Sequence, residues 1–269
     1  MKDPLTIHSV VKTFRLLETV CSSKEPFTLS TISKKLALSM GATQRITHTL
    51  ITIGYLHKDS KAKTFRTTPK ILALGYAFLT AYEIREIALP GMRELNRQTN
   101  EIVNLAVMDS GEIVYIERIE TSHGLTTNTR VGSRKPLHCT SIGKVLLAFL
   151  PEAEQKALLE RLHLEKFNER TITDKNTLAA QLRKIRQQGY SENSGEMSEG
   201  VFSIAVPLIN HEGRAVAGMN IVIPLSRMNK KKVYQEYLPL LVEQGKHVSA
   251  LIGGRGDDES RINRKGGIR

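Results

Sequence analysis

The chain has 269 residues, of which 40% are hydrophobic and 25% are charged, so we expect two folded domains with packed cores. Its longest apolar run, residues 145–150, is far shorter than the roughly 20 residues of a membrane span, and its first residues show no secretory signal, so we expect a cytoplasmic protein with no membrane partner. Two cysteines exclude a disulfide framework, and a net charge of +12 suggests a polyanionic partner if that charge is clustered.

The positive charge is concentrated at the beginning of the chain. Residues 1–85 carry 13 lysines and arginines against 5 acidic residues, whereas residues 86–253 carry 21 against 19 and residues 254–269 carry 5 against 3. A basic first part joined to a nearly neutral second part is typical of a nucleic-acid-binding module attached to a domain with another role.

The first part shows the pattern of three helices. Apolar residues at spacings of three and four predict a helix over residues 9–20. Its inward face would carry Val10, Phe14 and Leu17. Thr28 can cap a short second helix, and Ser39 can cap a third helix that runs to about Ile53, where Gly54 ends it.

Two extended segments follow these helices. Residues 55–58 and 64–67 both favour strands, and they flank a polar turn at residues 59–61. Three helices followed by a basic hairpin predict a winged helix-turn-helix over residues 1–68. Pro69 then opens a linker helix that continues to residue 85.

The third helix would be the reading helix of such a module, because its exposed N-terminal residues would face base edges in the major groove. Gln44 can pair with adenine through two hydrogen bonds, and Arg45 can pair with guanine or a phosphate. Basic residues on the hairpin would hold phosphates, which anchor a protein without specifying sequence. An ordinary solvated helix face is the alternative interpretation. The candidate DNA-binding residues are Met40, Gly41, Gln44, Arg45 and His48 on the helix, and Lys58, Lys61, Lys63 and Arg66 on the hairpin.

The second part mixes helical and extended patterns, so the fold class of the whole chain is α+β. We expect a helix over residues 86–99, interrupted early at Pro90, then a hairpin over residues 102–120 and a strand over residues 126–131. Apolar residues surround residues 141–150 almost completely, which predicts a buried helix. The remaining predictions are helices over residues 152–162, 174–188 and 230–252, apolar strands over residues 201–209 and 215–223, and a disordered tail over residues 254–269.

Seven segments share the order and spacing of one known family. They are LSTISKKLALSMGATQRITHTLITIGYLHKD (29–59), TPKILALGYAF (68–78), IVYIERIE (113–120), VGSRKPLHCTSIGKVLLAFLP (131–151), RTITD (170–174), GYSENSGEMSEGVFSIAVPL (189–208) and GMNIVIPLSRM (218–228). On these segments, residues 6–252 resemble the IclR family of bacterial transcription regulators. The resemblance implies that a GAF-like effector domain, a curved antiparallel sheet with helices, occupies residues 86–253. It also implies a homodimer or dimer of dimers that binds palindromic double-stranded operator DNA and represses or activates a catabolic operon.

The resemblance further implies a pocket for a small organic acid in the second domain. It draws on the start of the buried helix, the acidic loop after the Gly189-Tyr190 pair and two facing strands. The candidate effector-binding residues are Thr140, Ser141, Ile142, Asn193, Ser203, Asn220 and Val222. Relatives often carry Asp, Cys or Ser where this chain has Asn193, Ser203 and Asn220. Residues 200–208 and 217–222 look most like the members that sense aromatic acids.

Physical chemistry independently supports the helix start, because a helix N-terminus presents backbone N–H groups that suit a carboxylate. Neutral side chains such as Asn193, Ser203 and Asn220 can donate to a carboxylate without charge repulsion. The alternative is that Thr140 or Ser141 is a plain helix cap, and that Ser203 and Asn220 satisfy local backbone groups.

Two other functions stay open. Cys139 beside His138 could be a nucleophile, which would make the chain a GAF-like hydrolase fused to a DNA-binding domain, although no Gly-x-Ser-x-Gly elbow is present and Cys139 also suits a buried position. A nonspecific architectural DNA binder is the second alternative. The eight histidines form no ligand pair on one helix face, so we expect no metal and no cofactor. The leading hypothesis is therefore a DNA-binding regulator that is not an enzyme.

Overall fold

The computed structural model describes residues 4–23, 25–81, 83–122 and 129–254 of the chain. Two compact units form, one within residues 1–81 and the other within residues 82–269. From residue 255 onward, the tail predicted as disordered lies outside the described residues. No helix in the described part is both long enough and apolar enough to cross a membrane.

The first unit has the predicted winged helix-turn-helix architecture. Its elements are α1 (His8–Cys21), β1 (Phe27–Thr28), α2 (Leu29–Leu36), α3 (Met40–Thr52), β2 (Leu56–Asp59), β3 (Thr64–Thr67) and α4 (Lys70–Ala81). The three strands form an antiparallel sheet in the order β1-β3-β2, and β1 is an addition to the predicted hairpin. The core of this unit consists of Leu16, Leu17, Val20, Ile32, Leu50, Leu56 and Phe65.

Side-chain caps fix where α2 and α3 begin. The Thr28 hydroxyl accepts a hydrogen bond from the Thr31 backbone N–H at 3.2 Å, and the Thr28 N–H donates to the Thr31 hydroxyl at 2.9 Å. At α3, the Ser39 hydroxyl accepts from the Ala42 N–H at 3.3 Å. Both predicted caps are therefore confirmed. The first two residues of α3, Met40 and Gly41, are exposed at the surface of the unit.

The predicted inward face of α1 is partly wrong. Leu17 is buried, but Val10 and Phe14 are 47% and 54% exposed, and Leu16 and Val20 supply the other core contacts. The reason is that the first turns of α1 extend beyond the core of this small unit. Apolar spacing on a helix predicts a face that is buried against other residues, but the core of this unit does not reach the first turns of α1.

The second unit is built on one six-stranded antiparallel sheet in the order β6-β5-β4-β9-β8-β7. The β4–β5 turn consists of Ser110 and Gly111, whose φ angles of 51° and 83° are the left-handed pair that a type I′ hairpin requires. The strands are β4 (Ile102–Asp109), β5 (Glu112–Ile119), β6 (Arg134–Pro136), β7 (Ser191–Ser194), β8 (Val201–Ile209) and β9 (Ala215–Pro224).

The strand predicted over residues 126–131 is wrong where the structure describes it. Residues 126–128 lie outside the described residues, and residues 129–133 form a turn rather than a strand. The Ser133 N–H donates to the Arg130 carbonyl at 2.9 Å, and the Arg130 N–H donates to the Ser133 hydroxyl at 2.8 Å. Because residues 129–133 form this turn, β6 begins only at Arg134.

Helices cover both faces of the sheet. Gly245 of α10 packs against Val206 of β8, and Ile142 of α6 packs against Gly218 of β9. Val206 and Gly218 belong to adjacent cross-strand pairs and therefore point to opposite faces, which places α6 and α10 on opposite sides. The helices are α5 (Glu83–Thr99), α6 (Ser141–Ala148), α7 (Glu152–Arg161), α8 (Lys175–Gln188), α9 (Lys230–Lys232) and α10 (Leu238–Leu251), with a π-helical turn at Val233–Tyr237 between the last two.

α5 continues through Pro90, so the predicted interruption is wrong. A proline inside a helix removes one backbone hydrogen bond, but Ala88 and Met92 on either side of it are fully buried, and this packing retains the helix. Gly91 lies beside α10, where its nearest neighbour is the side chain of Gln244.

Candidate functional site

The first candidate site is the exposed face of α3. On the opposite face, Thr43, Thr47 and Leu50 are buried in the unit, so the orientation of the helix is fixed. Arg45 forms no ion pair within the described part of the chain, which leaves its charge available to an external partner. The predicted residues on this helix are all exposed: Met40, Gly41, Gln44, Arg45 and His48.

The second part of that surface is the basic β2–β3 hairpin. Asp59 holds its turn, because Asp59 Oδ1 accepts from the backbone N–H groups of Ala62 at 2.9 Å and Lys61 at 2.8 Å. These hydrogen bonds hold the pKa of Asp59 below its usual value. The predicted basic residues here are all exposed: Lys58, Lys61, Lys63 and Arg66.

The second candidate site is a cavity of about 460 Å³ in the second unit. Six of the seven predicted effector residues line it, namely Thr140, Ser141, Asn193, Ser203, Asn220 and Val222. The other described residues on its wall are Asn104, Tyr115, Arg118, Thr129, Lys135, Cys139, Met197, Ser198, Gly200 and Val201. The residue types gathered here are mostly polar, so the cavity offers many hydrogen-bonding groups to a small polar molecule.

Cross-strand pairing explains why residues far apart in sequence meet at this cavity. Arg118 of β5 lies opposite Asn104 of β4, and Asn104 lies opposite Asn220 of β9. Residues two apart on a strand share a face, so the cross-strand row that contains Val222 points to the same side as the row that contains Asn220. The row of Val222 also contains Ser203 and Asn193.

A chain of hydrogen bonds links these rows to α6. Arg118 Nη1 donates to Asn104 Oδ1 at 2.9 Å, and Asn104 Nδ2 donates to Asn220 Oδ1 at 2.8 Å. Asn220 Nδ2 and Ser203 Oγ both donate to Ser141 Oγ, at 3.1 and 2.8 Å. Since a hydroxyl oxygen accepts about two hydrogen bonds, Ser141 is left with its own hydrogen to donate. The side chains of Ser203 and Asn220 thus form hydrogen bonds with the side chain of Ser141 rather than with local backbone groups.

Two of the predicted residues hold the start of α6 in place. Thr140 is the helix cap: its hydroxyl accepts from the Gly143 N–H at 3.1 Å and donates to the Pro136 carbonyl at 2.9 Å. Asn193 Nδ2 donates to the Cys139 carbonyl at 2.6 Å. The alternative interpretation of a plain cap therefore applies to Thr140, whereas Ser141 lies one residue further along and contacts the strands.

The side chain of Ile142 does not line the cavity, in contrast to the prediction. It is fully buried in the core under α6, where it packs on Gly218 of β9. Consecutive side chains on a helix diverge by about 100°, so Ser141 and Ile142 cannot both face the cavity.

Sequence reasoning missed Tyr115, Arg118 and Lys135. The β4–β5 ladder skips Ile116, which is an extra residue in β5 and makes a β-bulge. Strict alternation would place Tyr115 and Arg118 on opposite faces, whereas the bulge brings both to the cavity. The sequence carries no signal for this bulge. Lys135 was missed for another reason: it lies on β6, and the sequence pattern predicts that strand several residues before its actual position.

Burial changes the acidity of two groups on the cavity wall. Removal from water raises the pKa of Tyr115 to about 12 and that of the Cys139 thiol to about 12. Because the thiolate is the nucleophilic form, Cys139 is poorly reactive near neutral pH. In the part of the chain that the structure describes, no three His, Cys, Asp or Glu side chains are grouped so as to hold a metal.

A buried ion pair lies behind the cavity. Lys144 of α6 is fully buried and contacts the carboxylate of Glu196. The backbone of Glu196 is also held, because its N–H donates to Asn193 Oδ1 at 3.3 Å and its carbonyl accepts from the Thr171 hydroxyl at 2.6 Å. Four of the next five residues line the cavity, namely Met197, Ser198, Gly200 and Val201, so these contacts hold the start of that part of its wall in place.

Comparison with known families decides what these two sites belong to. Residues 9–60 match the model of the IclR helix-turn-helix domain, and residues 76–250 match that of the bacterial transcriptional regulator IclR C-terminal domain. The chain belongs to the IclR family. Its winged module and its curved antiparallel sheet are thus those of a DNA-binding transcriptional regulator, as the resemblance implied.

Individual relatives agree with this assignment. The IclR-family chain is 34% identical to the HTH-type transcriptional regulator KdgR of Escherichia coli K12 over 252 residues, which cover 94% of this chain and 95% of the relative. The crystal structure of the Thermotoga maritima IclR matches with a TM-score of 0.76 at 28% identity, covering 92% of this chain and all of that one. An IclR homolog complexed with 4-hydroxybenzoate from Microbacterium hydrocarbonoxydans shares the fold, with a TM-score of 0.77 at 24% identity, covering 90% and 98%.

Proposed function

We propose that this IclR-family regulator reads a specific operator through α3 and the β2–β3 hairpin, and that a small organic acid in the cavity controls this binding. The observation that carries the proposal is the convergence of residues: every predicted reading residue is exposed on one module, and six predicted effector residues meet at one cavity. We assign residues 1–68 to the reading module, residues 69–85 to the linker and residues 86–253 to the effector domain. The division between the two compact units, after residue 81, falls within that linker.

The reading module would divide its contacts between bases and phosphates. Gln44 and Arg45 lie at the exposed start of a capped helix, where side chains reach base edges in the major groove. Lys58, Lys61 and Arg66 on the hairpin would contact phosphates. Binding of this kind takes place where the operator is, in the bacterial cytoplasm.

Selection of bound sequences from random DNA, followed by titrations at several salt concentrations, tests this reading. Gln44→Ala should relax the base preference at one operator position, whereas Gln187→Ala on the exposed side of α8 should change nothing. Equal affinity for all sequences would favour the architectural alternative, in which only a salt slope of about −0.9 per phosphate contact is seen.

The cavity would hold the carboxylate of its ligand at the start of α6. Backbone N–H groups at this helix terminus and the hydroxyl hydrogen of Ser141 are the donors for that group. The 4-hydroxybenzoate complex of the homolog supports a small acid, with aromatic acids included, as the effector class. Such a ligand changes DNA binding only if it binds two states of the regulator with different affinity.

A thermal-shift screen of aromatic and aliphatic acids tests the effector, since a ligand at about 100 times its Kd adds roughly 2.7 kcal/mol of stability. Ser141→Ala should abolish both the shift and the acid-induced change in DNA binding. Ser226→Ala, at an exposed position after β9 in the second unit, is the matched control. Unchanged acid response in Ser141→Ala would refute the assignment of the carboxylate to this helix start.

We also propose that the regulator is a homodimer, through the exposed apolar side chains of α1 and α4. Val10, Val11 and Phe14 of α1 and Leu72 and Leu74 of α4 are between 42% and 69% exposed. Sedimentation should show a dimer, or a dimer of dimers, that Phe14→Glu dissociates and Lys12→Glu on the same helix does not. A wild-type monomer at micromolar concentration would contradict this.

Ligand binding rather than catalysis is the role we propose for the second domain. The raised pKa of Cys139 supports this, because it keeps the thiol protonated. Ester turnover that disappears in Cys139→Ser would instead favour the hydrolase alternative.

A further inference from the structure

We infer that the effector carries two acidic groups, one at the start of α6 and the other at the wall that β5 and β6 form on the far side of the cavity. The inference rests on the proposed acid-binding function and narrows its ligand class to a small organic dicarboxylate.

The charged side chains on the cavity wall are all of one sign. Lys135 and Arg118 line the cavity, and no aspartate or glutamate is among the described residues that do. Lys135 is half-buried and forms no ion pair with any carboxylate in the described ranges. A cation in this position, facing a cavity without acidic side chains, favours an anionic group of the ligand.

Arg118 is held in one orientation at the same wall. Its Nε and Nη2 donate to the Glu120 carboxylate at 2.5 and 3.0 Å, and its Nη1 donates to Asn104 Oδ1. Glu120 offsets much of the charge of Arg118. Arg118 therefore fixes the shape of the wall, and Lys135 on the neighbouring strand supplies the uncompensated positive charge.

The two ends of the cavity are too far apart for one carboxylate to contact both. The row from Arg118 to Asn220 crosses two strand spacings, from β5 to β4 and from β4 to β9, which is about 10 Å. Ser141 is bonded to Asn220 and marks the opposite end. A carboxylate held at Ser141 thus leaves the β5–β6 wall without an anion, whereas a second carboxylate on a short carbon chain would reach it.

Matched pairs of acids test this inference on the full-length chain. Calorimetric titration would compare each diacid from succinate to pimelate with the monoacid of the same chain length, for example adipate with hexanoate. We expect the best diacid to bind about tenfold or more tightly than its monoacid, because a charge-assisted contact is worth at least that factor. Lys135→Met should remove this difference, because it should weaken binding of the diacid far more than binding of the monoacid. Lys184→Met on the exposed side of α8 removes the same charge elsewhere and should retain the difference.

Reversing the charge at position 135 distinguishes the loss of an ion pair with the ligand from a general loss of folding. Lys135→Glu should lose the preference for adipate and gain one for ε-aminocaproate, which presents an ammonium group at the same distance. If the wild type binds monoacids and diacids equally, and Lys135→Met changes neither while Ser141→Ala weakens both, the second acidic group is refuted and the proposed acid-binding function stands. If neither kind of acid binds, both proposals fail.

Discussion

Asn104 of β4 and Asn220 of β9 lie directly opposite each other, and Asn104 Nδ2 donates a hydrogen bond of 2.8 Å to Asn220 Oδ1. Both side chains are buried, and together they connect Arg118 on β5 with Ser141 on α6. A ligand that contacts Ser141 therefore acts on a bonded row that crosses the middle of the sheet.

Asn220→Ala should destabilise the protein by about 1–3 kcal/mol, because it leaves the Asn104 amide buried without its acceptor. Chemical denaturation of the variant measures this loss in the free energy of unfolding. The double variant Asn104→Ala/Asn220→Ala should lose less than the sum of the two single variants, since the pair is coupled. Strict additivity would show that the two amides act independently.

Gln44→Ala and Lys61→Ala should weaken DNA binding in different ways. Removing Gln44 should cost about 1–3 kcal/mol of discrimination at one base pair, because a bidentate base contact is lost. Removing Lys61 should weaken binding to all sequences and reduce the magnitude of the salt slope by about 0.9, because one phosphate contact is lost. Fluorescence anisotropy with operator and scrambled duplexes distinguishes the two effects, and identical behaviour of the two variants would contradict the assignment.

Gly218→Ala should lower the free energy of unfolding by about 1–3 kcal/mol, because the new methyl group would lie 2.7 Å from Ile142 Cγ2. Adding Ile142→Ala should relieve that clash, so the double variant should be more stable than the sum of the single effects predicts. Gly41→Ala in α3 is the control: a Cβ there meets no atom within 4 Å and should improve helix propensity.

Asp174 should contribute a pH-dependent part of the stability of the second unit. Its carboxylate caps α8 by accepting from the Thr177 hydroxyl at 2.7 Å and the Thr177 N–H at 2.6 Å, and these bonds lower its pKa in the folded protein. A carboxyl whose pKa is lower when folded stabilises the protein above its unfolded pKa of about 4, and this contribution disappears as the pH falls through the folded value.

Asp174→Asn retains a good cap without a titrating group. The stability difference between wild type and this variant should therefore shrink below about pH 4. Thermal melts across that range measure it, and a difference that grows on acidification would mean that the sign of the pKa shift is wrong.

The reading surface could be predicted from the sequence because its signals are local. Thr28 and Ser39 mark helix starts by their own hydrogen bonds, and the exposed face of α3 follows from helical spacing. The same spacing fails on α1, where Phe14 is apolar yet exposed, because periodicity does not distinguish the core of one unit from a surface that meets a partner.

The cavity could be predicted only in part, because its residues come from distant strands. The resemblance supplied Ser141, Ser203 and Asn220, whereas spacing alone identified the buried helix but not what faces it. β7 carries polar residues on both faces and lacks the apolar alternation that marks strands. Arg118 depends on a bulge, which changes the period of two within a single strand.

The extra residue at Ile116 has a consequence for the length of β5. Because the β4–β5 ladder passes over this position, removing it would leave Tyr115 and Arg118 facing the cavity and Glu117 facing α5, where it pairs with Arg85. Where the ladder is regular, by contrast, the removal of one residue exchanges the faces of every residue beyond it. The bulge at Ile116 is thus a place where the strand can lose one residue and keep the side chains that face the cavity.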